Sequence, residues 1–105
     1  PLGAEKSLKN PVVGERAVAL ESRGQEKYRV YCGLCHGQTG AGDGQIASHM
    51  ALKPPSLLTD KVRDFKDGRI YHIILEGQGV MGSYGAQVYK PEDRWTIVNY
   101  VRSLQ

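Results

Sequence analysis

The chain has 105 residues, 40% of them hydrophobic and 24% charged, proportions that suit one folded domain and exclude both a disordered tail and a multidomain enzyme. Fourteen basic and 11 acidic side chains leave a net charge of +3, but the two signs are interspersed, which argues against a nucleic-acid binder. No apolar run approaches the roughly 20 residues of a membrane-spanning helix, and the N-terminus lacks the apolar centre of a secretory signal; the chain reads equally as a mature product after signal removal or as a domain of a longer protein.

Residues 1–20 are read as an N-terminal arm, extended through Asn10-Pro11 and Gly14, laid on the domain or left mobile, with a helical start open over Glu15 to Leu20. The domain proper is expected over 21–105. From Ser22 onward, Gly24, Tyr28, Tyr31, Cys32 and Cys35 recur at steps of three and four while Arg23, Gln25, Glu26, Lys27 and Arg29 fill the other face. This spacing predicts an amphipathic helix ending at Gly37. Residues 37–45 hold four glycines in a polar run and predict a tight loop. The stretch from Ile46 to Leu58 is ambiguous, with room for one helical turn, and its Pro54-Pro55 pair enforces extended backbone.

Asp67 reads as an N-cap for a short helix over 68–76, with Ile70, Ile73 and Ile74 as its apolar stripe and Gly77 at its end. Four glycines around Met81 mark a second irregular loop over 77–89. Pro91 suits a first helical position, with Glu92 and Asp93 at the positive end of the dipole. Two overlapping faces, one through Trp95, Val98, Val101 and Leu104 and one through Ile97, Tyr100, Val101 and Leu104, make the last helix a core element. No period-two strand of useful length is visible, so the fold class is all-α with long loops.

The chemistry lies in Cys32-Gly33-Leu34-Cys35-His36, the arrangement used for c-type haem attachment. Thiols three residues apart on a helical turn face the same way, so each can add across one haem vinyl group while the adjacent imidazole reaches the iron. A thioredoxin-like redox pair needs a preceding strand, whereas a helical pattern precedes this motif. Half of a zinc site lacks its partners in a chain with two cysteines, and a disulfide at this spacing strains its geometry.

A second axial ligand must come from Met81, Met50, His49 or His72. Met81 is favoured because its glycine-rich loop lets backbone approach a porphyrin closely and lies far enough from His36 to reach the opposite face. His49 and Met50 follow the proximal ligand too soon, and His72 sits one step off the isoleucine stripe, as a rim histidine would. Asp43, the Asp64 and Asp67 pair, Glu92 and Asp93 read as turn and helix-start residues, so no residue is assigned a catalytic role.

From Gly24 to Leu104 the chain resembles class I c-type cytochromes of the short bacterial monohaem kind, through CGLCHG at 32–37, GxGDG at 40–44, PPSL at 54–57, the Met81 loop and DRWTIVNYVRSLQ at the end. More narrowly, Arg23-Gly24, YxxYCxxCHG, KDGRIYHII, MGSYG and PEDRWTIVNYVRSLQ resemble the monohaem subunits and fused domains of quinol to cytochrome c oxidoreductases of the alternative complex type. The resemblance implies three main helices and long loops around one haem c, with the first and last helices crossing where Gly24 admits an aromatic such as Tyr100. It implies Cys32 and Cys35 as covalent attachments, His36 and Met81 as axial ligands, and a proline carbonyl, Pro55 with Pro54 as fallback, accepting the proximal ring N–H. The sequence departs from the family at Gly82, where a proline usually follows the ligand methionine.

The implied function is single-electron transfer in a respiratory chain, by a carrier rather than an enzyme, as a free protein or as part of a larger oxidoreductase. The alternative is a haem sensor or peroxidase-like enzyme with a displaceable sixth ligand. Redox partners are expected to be a respiratory oxidoreductase or terminal oxidase. The location expected is periplasmic, because haem c is installed outside the bacterial cytoplasm. The arm is read as a tether from a lipid anchor or neighbouring domain, or as a clamp on a partner subunit.

Overall fold

The computed structural model describes residues 9–50, 52, 54–79 and 81–105; residues 1–8 of the expected arm lie outside that set. In chain order the helices are α1 (Gly14–Ala19), α2 (Glu21–Tyr31), α3 (Gly33–His36), α4 (Asp60–Arg63), α5 (Asp67–Glu76) and α6 (Pro91–Leu104), with a 3₁₀ turn at Ala47–His49. Among the described residues β pairing is confined to one isolated bridge between Gln78 and Met81, so the all-α expectation holds.

The helix expected from Ser22 to Gly37 is two helices. Cys32 closes α2 by donating its N–H to the Tyr28 carbonyl at 2.8 Å, and its own carbonyl accepts from the His36 N–H at 2.9 Å. With φ at −113° Cys32 is the cap shared by the two helices, and the histidine stands at the end of α3. Gly37 ends α3 at φ 82°, a left-handed conformation that suits a residue without Cβ.

Asp67 is the first residue of α5 and Lys66 takes the N-cap place, which corrects the expected assignment. Its carboxylate is engaged elsewhere, accepting from Arg102 Nε at 2.9 Å and from Asn10 Nδ2 at 3.0 Å. The short α4 has a true cap, Thr59, whose hydroxyl accepts from the Val62 N–H at 3.3 Å; four residues are too few for an apolar period to announce it.

α6 is the axis of the core: every residue from Asp93 to Val98 is buried, as a helix covered on all sides must be. Tyr28 of α2, Ile70, Tyr71 and Ile74 of α5, Val88 and Val12 pack around Trp95, Ile97, Val98 and Val101. Tyr71 stacks on Trp95 with ring centroids 4.1 Å apart. α2 meets α6 at Gly24, where a Cβ would stand 2.5 Å from the Thr96 carbonyl oxygen. Thr96, not Tyr100, therefore occupies the crossing; Tyr100 sits one turn further along, its ring centroid 5.1 Å from that of Tyr28.

The chain from Asn10 is laid on the domain. Val12 is only 1% exposed, and Asn10 Nδ2 donates to the Asn99 side chain at 2.7 Å while Asn99 Nδ2 donates to the Val12 carbonyl at 2.9 Å. The acidic first turn of α6 is tied to the preceding helices by charge, Glu92 to Arg16 of α1 and Asp93 to Arg23 of α2. The second pair is forked, with Arg23 Nη2 donating to Asp93 Oδ2 at 3.1 Å.

Two outcomes follow. Gly24→Val drives side-chain atoms into the Thr96 backbone and is expected to lower unfolding free energy by about 1–3 kcal/mol, measured by denaturant titration. The Arg23 hydrogen bond holds the Asp93 carboxyl below the ordinary carboxylate range, so its contribution is complete above the unfolded pKa and is lost as pH falls through the lower folded value. The melting temperature is expected to hold down to about pH 4 and to fall below it; Asp93→Asn should flatten that acid limb and lower the melting temperature at neutral pH.

Candidate haem site

The backbone of α3 is completed by the glycine loop that follows it. A helix end leaves carbonyls without partners, and here Gly42 donates to His36 at 2.8 Å, Gly44 to Cys35 at 3.1 Å and Ile46 to Leu34 at 3.1 Å. The other side of the loop binds the proline segment: the Leu57 N–H donates to the Gly40 carbonyl at 2.6 Å. A Cβ on Gly42, whose φ is 83°, would lie 2.7 Å from the Pro54 carbonyl oxygen. The loop is thus a glycine seam pressing Pro54-Pro55 toward His36.

His36, Pro54, Pro55, Cys32, Met50 and Met81 all line one apolar cavity of about 240 Å³, walled by Tyr28, Leu57, Val62, Phe65, the Ile70, Ile73 and Ile74 stripe, Ile97 and Val101. Burial lowers the pKa of the His36 imidazole, and interaction with the Pro55 carbonyl acts in the opposite direction. Nδ1 of His36 is buried and falls short of a full hydrogen bond to any described residue. Burial, reinforced by the nearby Cys35, pushes the Cys32 thiol up to about 12, so it is a neutral thiol and not the activated thiolate of a redox pair. Both cysteines are free. Tyr28 anchors this end of α2 by donating its hydroxyl to the Gly37 carbonyl at 2.6 Å.

Met81 stands in a tight turn in which Gln78 and Met81 exchange N–H···O bonds of 3.0 Å in both directions. Gly77 at φ 82° and Gly79 at φ 58° make that turn. Beyond it, Tyr84 donates its N–H to the Ile74 carbonyl at 2.9 Å. Burial raises the Tyr84 phenol, and Cys35 and Cys32 add to the shift.

Of the other ligand candidates, His49 is exposed and His72 half-buried, and neither lines the cavity. Met50 does line it, on the segment that runs into Pro54-Pro55, whereas Met81 arrives from the separate connection between α5 and α6. Sequence reasoning missed Val62 and Phe65 as wall residues, the Tyr71–Trp95 stack, and the burial of Arg94. For Arg94 a signal was present: it lies four residues before Val98 and seven before Val101, on the core face.

These residues fit haem c. The Cys32 thiol, the His36 imidazole and two thioethers border one apolar cavity, and Cys35 follows Cys32 three residues on as a second free thiol, which is the donor chemistry that haem attachment and axial ligation need. An all-α chain with a Cys-x-x-Cys-His turn at such a cavity is a small c-type cytochrome domain of the class I fold. The family described as "Cytochrome C oxidase, cbb3-type, subunit III" matches residues 19–101, and the chain belongs to it. Its role is accordingly haem-based electron transfer. Among solved structures, a chain of the "Kuenenia stuttgartiensis reducing HAO-like protein complex Kustc0457/Kustc0458" is similar, with 28% identity and a TM-score of 0.68 over 92% of this chain. The match spans 46% of that neighbour's length. No curated protein sequence matches the chain. No described helix is long and apolar enough to cross a membrane.

The glycine seam is open to a direct comparison. Gly42→Ala combines a left-handed backbone with a Cβ pressed on Pro54, whereas Gly79→Ala meets nothing within 4 Å. Gly79→Ala is expected to cost about 1–2 kcal/mol of stability through its backbone alone, and Gly42→Ala more than that, measured by thermal and denaturant unfolding.

Proposed function

We propose that this domain holds one covalent haem c with His36 and Met81 as axial ligands, and that it carries single electrons in a respiratory chain outside the cytoplasm. One observation carries the reading: Met81 lines the same apolar cavity as Cys32 and His36 although it comes from a separate part of the chain. A haem c bound there supplies an iron that alternates between ferric and ferrous states.

Cys32 and Cys35 anchor the group through thioethers. His36 would provide a neutral imidazole, and the Pro55 carbonyl beside it, on accepting the Nδ1–H that has no full partner in this structure, would leave Nε2 as the donor and strengthen it. Met81 provides a soft thioether that favours the ferrous state. Ile70, Ile74, Ile97 and Val101 exclude water and raise the cost of the extra charge on the ferric form, which moves the midpoint potential upward. With both axial places taken by side chains, electron transfer needs no ligand exchange, which suits a carrier better than an enzyme.

The redox partner is a respiratory oxidoreductase or terminal oxidase. The description of the matched family as an oxidase subunit supports this, as does the sequence likeness to quinol-oxidising complexes. Leu34 and Ile46, adjacent through the Ile46 N–H to Leu34 carbonyl bond, are exposed, as is Leu52 at the cavity. They offer a partner an apolar contact beside the cysteine pair.

The test is the weak near-infrared absorption that ferric iron shows when bound to methionine sulfur. Holoprotein is expected to show it, Met81→Ala to lose it and Met50→Ala to keep it, and reduced holoprotein is expected to resist carbon monoxide. Loss in Met50→Ala instead would reassign the sixth ligand. Ready carbon monoxide binding by the unmodified protein would overturn the carrier in favour of the sensor or peroxidase-like enzyme.

A further inference from the structure

Arg94 is the unexpected charge in this core. It is 8% exposed, yet no described carboxylate pairs with it; its neighbour Asp93 is taken by Arg23. A buried cation is costly unless its donors are satisfied. Those of Arg94 are satisfied almost wholly by one loop. Nε donates to the Val88 carbonyl at 2.7 Å, and Nη2 donates to the Gly85 carbonyl at 3.2 Å and the Tyr89 carbonyl at 3.0 Å. Nη1 donates to the Tyr71 hydroxyl of α5 at 3.2 Å.

These three carbonyls belong to the second half of the connection between α5 and α6, the segment that also carries Met81. The first half is tied to α5 by the Tyr84 N–H and by Ser83 Oγ on the Leu75 carbonyl. Gly82, directly after Met81, has open space where a side chain would stand, so the turn at Met81 is braced by its paired bonds with Gln78 and not by packing at the residue that follows. The planar fork of a guanidinium can hold several carbonyls in one geometry, which an ammonium cannot.

We infer that Arg94 is a positioning residue for Met81: by clamping residues 85–89 to α5 and α6 it keeps the methionine loop closed and sets how readily the sixth ligand is displaced. The inference rests on the proposed axial role of Met81.

The experiment compares ferric Arg94→Met and Arg94→Lys holoprotein with the unmodified protein and with Met81→Ala, using imidazole as the displacing probe. Arg94→Met is expected to exchange the amides of residues 85–89 faster, to weaken the near-infrared band, and to bind imidazole at least about tenfold faster, the scale of losing hydrogen bonds to a charged group. Arg94→Lys should recover part of the band and slow imidazole relative to Arg94→Met. If Arg94→Met loosens the 85–89 amides but keeps the band and an imidazole rate within about twofold of the unmodified protein, Arg94 is only a structural clamp and the inference is overturned. If Met81→Ala itself keeps the band and the unmodified imidazole rate, the axial reading of Met81 fails, and the inference falls with it.

Discussion

The structure depends on the meeting of α2 with α6. Gly24 lets the helices approach until a Cβ would overlap the Thr96 carbonyl, and one turn further Tyr28 fills the angle, fully buried against Tyr100. Tyr28 then does two more things: it lines the cavity and it donates its hydroxyl to the Gly37 carbonyl at the end of α3. The helix crossing and the position of His36 are therefore one constraint. In a chain of 105 residues, whose surface is large relative to its volume, so much dependence on one contact is expected to make the site and the fold lose stability together.

The site is built by loops held to rigid helices. The glycine seam satisfies the carbonyls of α3 on one side and seats Pro54-Pro55 on the other. The methionine connection is sewn to α5 through Ser83 and Tyr84 and to α6 through Arg94. Glycine is needed at Gly42 for reasons of space and of left-handed backbone at once, whereas at Gly79 only the backbone asks for it. The different demands explain how two glycine-rich loops of similar composition do different work.

Much of this was legible in the sequence because it is local. The Cys-x-x-Cys-His turn, the Ile70, Ile73 and Ile74 stripe, Pro91 as the first residue of α6 and Gly77 as the end of α5 are each set by a few adjacent residues, and the structure has them in those places. What could not be read depended on distant partners. Asp67 leaves the cap because Arg102 and Asn10 claim its carboxylate; the break at Cys32 divides α2 from α3 inside an unbroken helical pattern. Thr96 rather than Tyr100 meets Gly24 because the crossing falls one turn earlier than the resemblance implied. Arg94 stands on the core face in sequence, but its partners, three loop carbonyls and the Tyr71 hydroxyl, could not be read from it. Met50 and Met81 both reach the cavity, so composition and lining alone do not rank them; their different origins in the chain do.

The proposal of one haem c site within this small cytochrome domain rests on a neutral Cys32 thiol, an imidazole with an unpaired buried nitrogen, two methionines and one apolar chamber. Its central claim, one haem held covalently by Cys32 and Cys35, is tested most directly by the intact mass of holoprotein, produced with the haem c maturation machinery, before and after acid extraction in organic solvent. The account predicts an increment of one haem that survives extraction and is lost in the Cys32→Ala, Cys35→Ala double variant. A haem that extracts from the unmodified protein, or an increment other than one, would contradict it.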